Sequence, residues 1–226
     1  MARAPRSFLL EQLRAQADAV AAKRVQQLKL SREVINRIDQ RMHAVFQYFD
    51  EACKLLQTIA PPIERSFELQ HIVRYEDLRL EKASVTFRKQ RVQDQDVYDY
   101  VVVYYSLGGP SVPPLRVPIR SSQDIERALV SAHIKFTCDT DSSVQTGATY
   151  NVIRIAPGLR CEARFDPDFE NGRIVVSLRN VDRFEPVILD FETAALDTQA
   201  LDDLVNLMLA KPSQFLLRAP LRGFGR

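Results

Sequence analysis

The sequence predicts an α+β protein in which an N-terminal long helical hairpin, coiled-coil-like, precedes a mostly antiparallel β-sheet domain with two covering helices. Three observations predict it. Between Ser31 and Pro62 apolar residues recur at Ile35, Ile38, Met42, Val45, Phe49, Ala52, Leu56 and Ile59, in steps of three and four. From about Phe67 the apolar period changes to two. Short turn signals then separate the β segments, which favours hairpins and hence antiparallel pairing. The division follows at the Pro61-Pro62 pair: residues 1–62 as a helical oligomerisation or docking segment, residues 63–226 as the α+β domain.

The first helix is expected after Ser7, with Leu10, Leu13, Ala17, Ala21, Val25 and Leu28 at the period of a straight α-helix. Ser31 reads as a second N-cap with Glu33 in its first turn, and Leu30 and Ile35 as a staple. A cap in mid-pattern marks either a continuing rod or a reversal, and the reversal, giving a hairpin, is the expectation taken. Flanking the seam, Asp39 and Arg41 give way to Phe46 and Tyr48, then to Cys53 and Leu55. Charge is what a two-stranded zipper wants there. So wide an apolar face needs at least two neighbours. Pro61-Pro62 ends the helix.

Ala83, Val85 and Phe87 alternate with Ser84, Thr86 and Arg88 as a half-buried strand. Gln93, Asp94 and Gln95 turn the chain into a second strand, Val97–Leu107, broken by Gly108-Gly109-Pro110. A short strand over 115–119 leads to Ser121 as the cap of a helix over 123–132. A strand over 134–137 precedes a polar loop from Asp139 to Thr149. Segments 150–156 and 159–166 read as a tight hairpin about Pro157-Gly158, with Val152 beside Ala163 and Tyr150 beside Phe165. Asn171-Gly172 turns into 174–180, and 187–191 closes the strand series. The last helix carries Leu201, Leu204, Val205 and Met208 on one face and stops at Pro212, before an apolar clip, Phe215–Leu217.

Composition narrows the function classes. With 31 Lys/Arg against 29 Asp/Glu the net charge is +2, so this is no strongly basic polyanion binder. Residues 1–65 hold eleven of the basic and seven of the acidic groups, which makes the first helix the basic part. Seven glycines are few for large nucleotide-binding α/β folds. Cys53, Cys138 and Cys161 have apolar neighbours and an odd count, the pattern of buried free thiols in a reducing compartment. No run is long enough to span a membrane and no signal peptide opens the chain, so a cytoplasmic location is expected.

The leading reading is a non-catalytic assembly module. It would oligomerise with itself, or dock a helical protein partner, through Ile35, Ile38, Met42, Val45, Phe46, Phe49 and Leu56. The alternative is nucleic-acid binding by Arg14, Lys23, Arg24 and Lys29 on the first helix together with Arg88, Lys89, Arg91, Tyr98 and Tyr100 on a hairpin, aromatics stacking bases while cations hold phosphates. No catalytic, cofactor or metal set is assigned, and no membrane partner.

Two segments resemble catalytic motifs. Val187 to Thr193, a strand ending in Asp190-Phe191-Glu192-Thr193, resembles the first metal-binding motif of the DEDD 3′–5′ exonucleases, which implies carboxylates holding divalent cations. That family needs further acidic residues and a His or Tyr downstream, and nothing after Thr193 is His or Tyr. Phe136 to Ser142, with Asp139 and Asp141, resembles the nucleophile loop of haloacid-dehalogenase-type phosphatases. There the motif opens a parallel α/β domain, whereas hairpin signals surround it here. Metal-dependent phosphoester hydrolysis therefore ranks third. His43, His71 and His133 have no partner at zinc-ligand spacing.

Overall fold

The computed structural model describes residues 8–142 and 149–224; within residues 8–30, side chains are described only for Gln16 and Val20. One unbroken helix, α1 (Phe8–Ile59), replaces the expected hairpin. No glycine or proline lies between Phe8 and Ile59 to end it, and a serine in a helix interior costs only a fraction of a kcal/mol. Ser31 is therefore carried through rather than used as a cap. The helix does stop ahead of Pro61-Pro62, with Ala60 turned to a φ of 46°.

After β1 (Pro62–Ile63) comes a small hairpin of β2 (Phe67–Leu69) and β3 (Val73–Tyr75), then a long one of β4 (Leu78–Val92) and β5 (Gln95–Gly108). Next follow β6 (Leu115–Pro118), α2 (Ile119–Ser131), β7 (Phe136–Ser142) and β8 (Thr149–Ile155). The chain continues through β9 (Gly158–Asp168), β10 (Arg173–Arg179), β11 (Val187–Glu192) and α3 (Thr198–Met208). It closes with a 3-10 turn at Phe215–Leu217 and β12 (Leu221–Phe224).

Seven strands form one curled antiparallel sheet in the order β1-β4-β5-β9-β10-β11-β12, and β6-β8-β7 form a second of three. Strand makes up 43% of the chain, so the fold is mostly β with one N-terminal helix, and neither a long helical hairpin nor a coiled coil. The apolar seam of α1 lies against the inner face of the large sheet instead. Ile38, Met42, Val45 and Phe49 are fully buried, and Ile35, Cys53 and Leu56 nearly so. Phe49 meets Phe165 of β9 at 5.9 Å between ring centroids. Burying one such side chain is worth about 2–3 kcal/mol, so this seam is a main source of stability. On its other flank α1 meets α3, where the Tyr48 hydroxyl donates to Asp202 at 2.6 Å.

Several local expectations are corrected by non-local pairing. The 150–156 and 159–166 segments do not form a hairpin: β8 pairs with β6 and β7, while β9 pairs with β5 and β10. Pro157-Gly158 is a corner between two sheets. Gly158 lies opposite Gly108, where a Cβ would collide with the Leu107 carbonyl. Close approach to the Leu107 carbonyl, not a hairpin turn, is what requires glycine there. The region read as a polar loop from Asp139 instead carries β7 to Ser142 and resumes as β8 at Thr149. Ser121 caps nothing; α2 starts after Pro118 with no side-chain cap. Asn171-Gly172 does turn β9 into β10, with Gly172 at a φ of 69°.

Candidate functional site

The residues expected to form a partner interface are covered by the chain's own sheet. Ile35, Ile38, Met42, Val45, Phe49 and Leu56 face β4, β5 and β9 as core, and half-buried Phe46 packs edge-on against Phe87 of β4 at 4.8 Å. The apolar face of α1 is wide because strands β4, β5 and β9 and the helix α3 all pack on it. In a single copy it is not available for docking.

The Tyr/Arg hairpin is brought together in sequence register yet divided in space. Arg88 pairs with Tyr100 and Lys89 with Tyr98, with a register shift between them. Tyr98 therefore faces α1: it is buried, its hydroxyl lies 2.9 Å from His43 Nδ1, and the Lys89 ammonium sits 5.0 Å over its ring. Tyr100 faces outward under the Arg164 guanidinium, 4.2 Å from its centroid. Arg88 pairs with Asp99 at 3.3 Å, and Arg91 lies exposed near the hairpin tip. No shared stacking platform results. The side chains of Arg14, Lys23, Arg24 and Lys29 lie outside the described residues.

Neither carboxylate pair is poised for metal chemistry. Asp190 and Glu192 project from the same face of β11, but Arg173 of β10 holds Asp190 at 2.8 Å and reaches Glu192 at 4.0 Å. Asp139 is paired with Arg154 and Asp141 with Arg116. Among the described residues no group of three or more His, Cys, Asp or Glu side chains is arranged to hold a metal. His71 is exposed in the β2–β3 turn, and His133 bonds locally to the Val130 carbonyl at 3.1 Å. Two of the cysteines are buried as expected, while Cys138 is exposed on β7. Burial pushes the Cys53 thiol up to about 11, with Asp50 adding to it, and the Cys161 thiol up to about 12. Both stay protonated at neutral pH and are poor nucleophiles.

Two clefts were not anticipated. One, of 580 Å³, lies between the end of α2 and the outer face of the large sheet. Its floor is a ladder of paired charges: Arg164 with Asp166 at 2.7 Å and Arg179 with Glu162 at 3.6 Å. The Asp166 hydrogen bond raises the Arg164 pKa further, against the opposing effect of burial. Charge alternating along residues 160–166 was the sequence signal for this face, but the overhanging helix was not foreseeable. The second cleft, of 240 Å³, lies between α1 and the loop after β11 and is lined by Arg37, Gln40, Arg41, Thr193 and Ala194. Compared with protein-family models, curated proteins and solved structures, the chain matches none.

Proposed function

We propose that the protein is a non-catalytic assembly module whose α1 pairs with the same helix of a second copy, through its N-terminal half rather than its buried seam. The observation that carries this reading is the length of α1 relative to the cover it has among the described residues. The tip of the β4–β5 hairpin reaches α1 at Ser31, where the Gln93 amide approaches the Ser31 hydroxyl at 3.5 Å. The helix backbone runs on from there to Phe8, roughly 35 Å further at the usual rise. Val20, on that stretch, is 51% exposed.

A second copy is favoured by the spacing of the apolar stripe. Leu10, Leu13, Ala17, Ala21, Val25 and Leu28 read the same in both directions about position 19. Antiparallel pairing across a twofold axis sets Leu10 opposite Leu28, Leu13 opposite Val25 and Ala17 opposite Ala21. The alanines then meet at the centre, where small residues let two helices approach. The period is that of straight helices, so the pairing is a shallow crossing without supercoiling. An isologous twofold contact of this kind is the commonest way for one surface to satisfy itself. Three free thiols suit a reducing compartment such as the cytoplasm.

Size-exclusion chromatography with light scattering tests it. The full chain is expected as a dimer at micromolar concentration, with Leu13→Asp and a shortened chain beginning at Ser31 both monomeric. A monomeric full chain, or a dimer that survives both changes, overturns the reading.

A further inference from the structure

We infer that the 240 Å³ cleft between α1 and the loop joining β11 to α3 is a binding site for a small phosphate-class oxyanion, held by Arg37 and Arg41. Arg37, Gln40 and Arg41 stand at i, i+3 and i+4 and so share one face of α1, opposite Thr193 and Ala194. Two like charges one turn apart repel each other. Several arginines of the fold are relieved by carboxylates, among them Arg173 by Asp190, Arg164 by Asp166 and Arg218 by Asp203. Among the described residues no carboxylate lies within ion-pair distance of Arg37 or Arg41. The cleft therefore presents two uncompensated guanidinium forks and one neutral amide to whatever enters it.

That donor set matches a tetrahedral oxyanion, because planar guanidinium groups engage two oxygens at once. The volume is below the roughly 300 Å³ at which sites for drug-sized ligands begin, so a phosphoryl group with a short substituent fits best. A long polyanion is disfavoured by the acids at the rim. Glu33 lies one turn before Arg37, and Glu192, 76% exposed, stands just before Thr193. A nucleic-acid backbone tracking across the cleft would run against them. The site sits on the sheet-covered half of α1 and does not depend on helix pairing.

Titration calorimetry of the full chain with inorganic phosphate and with pyrophosphate tests the assignment. Saturable binding is expected for at least pyrophosphate, weakened tenfold or more in Arg37→Gln/Arg41→Gln and unchanged in Arg79→Gln, an exposed arginine on β4. Arg37→Lys, which keeps the charge and loses the fork, is expected to weaken binding less than Arg37→Gln and guards against misfolding of the double variant. Absence of saturable binding at millimolar anion, or equal weakening in Arg79→Gln, overturns the inference. So does binding of a single-stranded oligonucleotide without binding of either small anion.

Discussion

The Tyr98 amide donates to the Asp39 carboxylate of α1 at 2.8 Å. The ladder from β5 to β9 ends at Val101, and the ladder to β4 shifts register beside Tyr98. A side chain from the helix thus satisfies a backbone group that the sheet leaves over. Asp39→Ala is expected to cost about 1–3 kcal/mol, the penalty for orphaning a buried donor. Asp39→Asn, which keeps an acceptor, should cost less. Urea denaturation midpoints of the two variants check the order.

Asn180 is a buried polar clamp. Its side-chain amide donates to the Ala132 carbonyl at 2.9 Å and the Arg160 carbonyl at 3.0 Å, tying the end of α2 to the large sheet, and its φ is 56°. Asn180→Ala loses both bonds and sets an alanine in left-handed backbone, for an expected loss of about 2–4 kcal/mol. Asn180→Gly keeps the backbone freedom and loses only the bonds. Its stability by chemical denaturation should fall between wild type and the alanine variant.

The Tyr105 hydroxyl is buried without a hydrogen-bond partner among the described residues. Tyr105→Phe is therefore expected to stabilise the protein by about 1 kcal/mol at neutral pH. Burial raises the Tyr105 pKa well above its ordinary value, with the Cys161 thiol beside it adding to the shift. Because the folded value lies above the unfolded one, this group leaves wild-type stability unchanged below about pH 10 and lowers it as pH rises beyond, so the advantage of the phenylalanine variant grows there. The phenylalanine variant should lose less stability than wild type above pH 10, read from denaturation midpoints across alkaline pH.

Phe49 tests whether the α1 seam is core. Phe49→Ala is expected to cost about 3–5 kcal/mol. The loss should be equal in the full chain and in the chain beginning at Ser31, since Phe49 packs against Phe165 within one copy. A smaller loss in the shortened chain would place Phe49 in a contact between copies.

Much of the local structure was readable from the residues. Period two marked β4 around Ala83–Phe87, and the long Val/Tyr run marked β5, whose Val101, Val102 and Val103 are all buried. Asn171-Gly172 named its turn. The N-cap of α3 at Asp197, whose carboxylate accepts from the Ala200 amide at 2.9 Å, went unread although Asp is a standard cap. β12 went unread as well, because Leu221–Phe224 has no alternation of its own and is a strand only through pairing with β11. Of the clefts, neither was legible, since Arg37 and Thr193 are brought together by the sheet and not by spacing.

The residues by themselves determined where apolar faces lie: the seam of α1, the alternation of the strands, the stop at Pro61-Pro62. Such features rest on backbone geometry and on which side chains avoid water, both of which act within a few residues. What covers each face was settled only in three dimensions. The same seam that suits a partner helix is buried here by Val101, Val103 and Phe165, and β8 and β9, adjacent along the chain, belong to different sheets. A hydrophobic stripe specifies that it must be hidden, while the surface that hides it is chosen by the total packing of the chain.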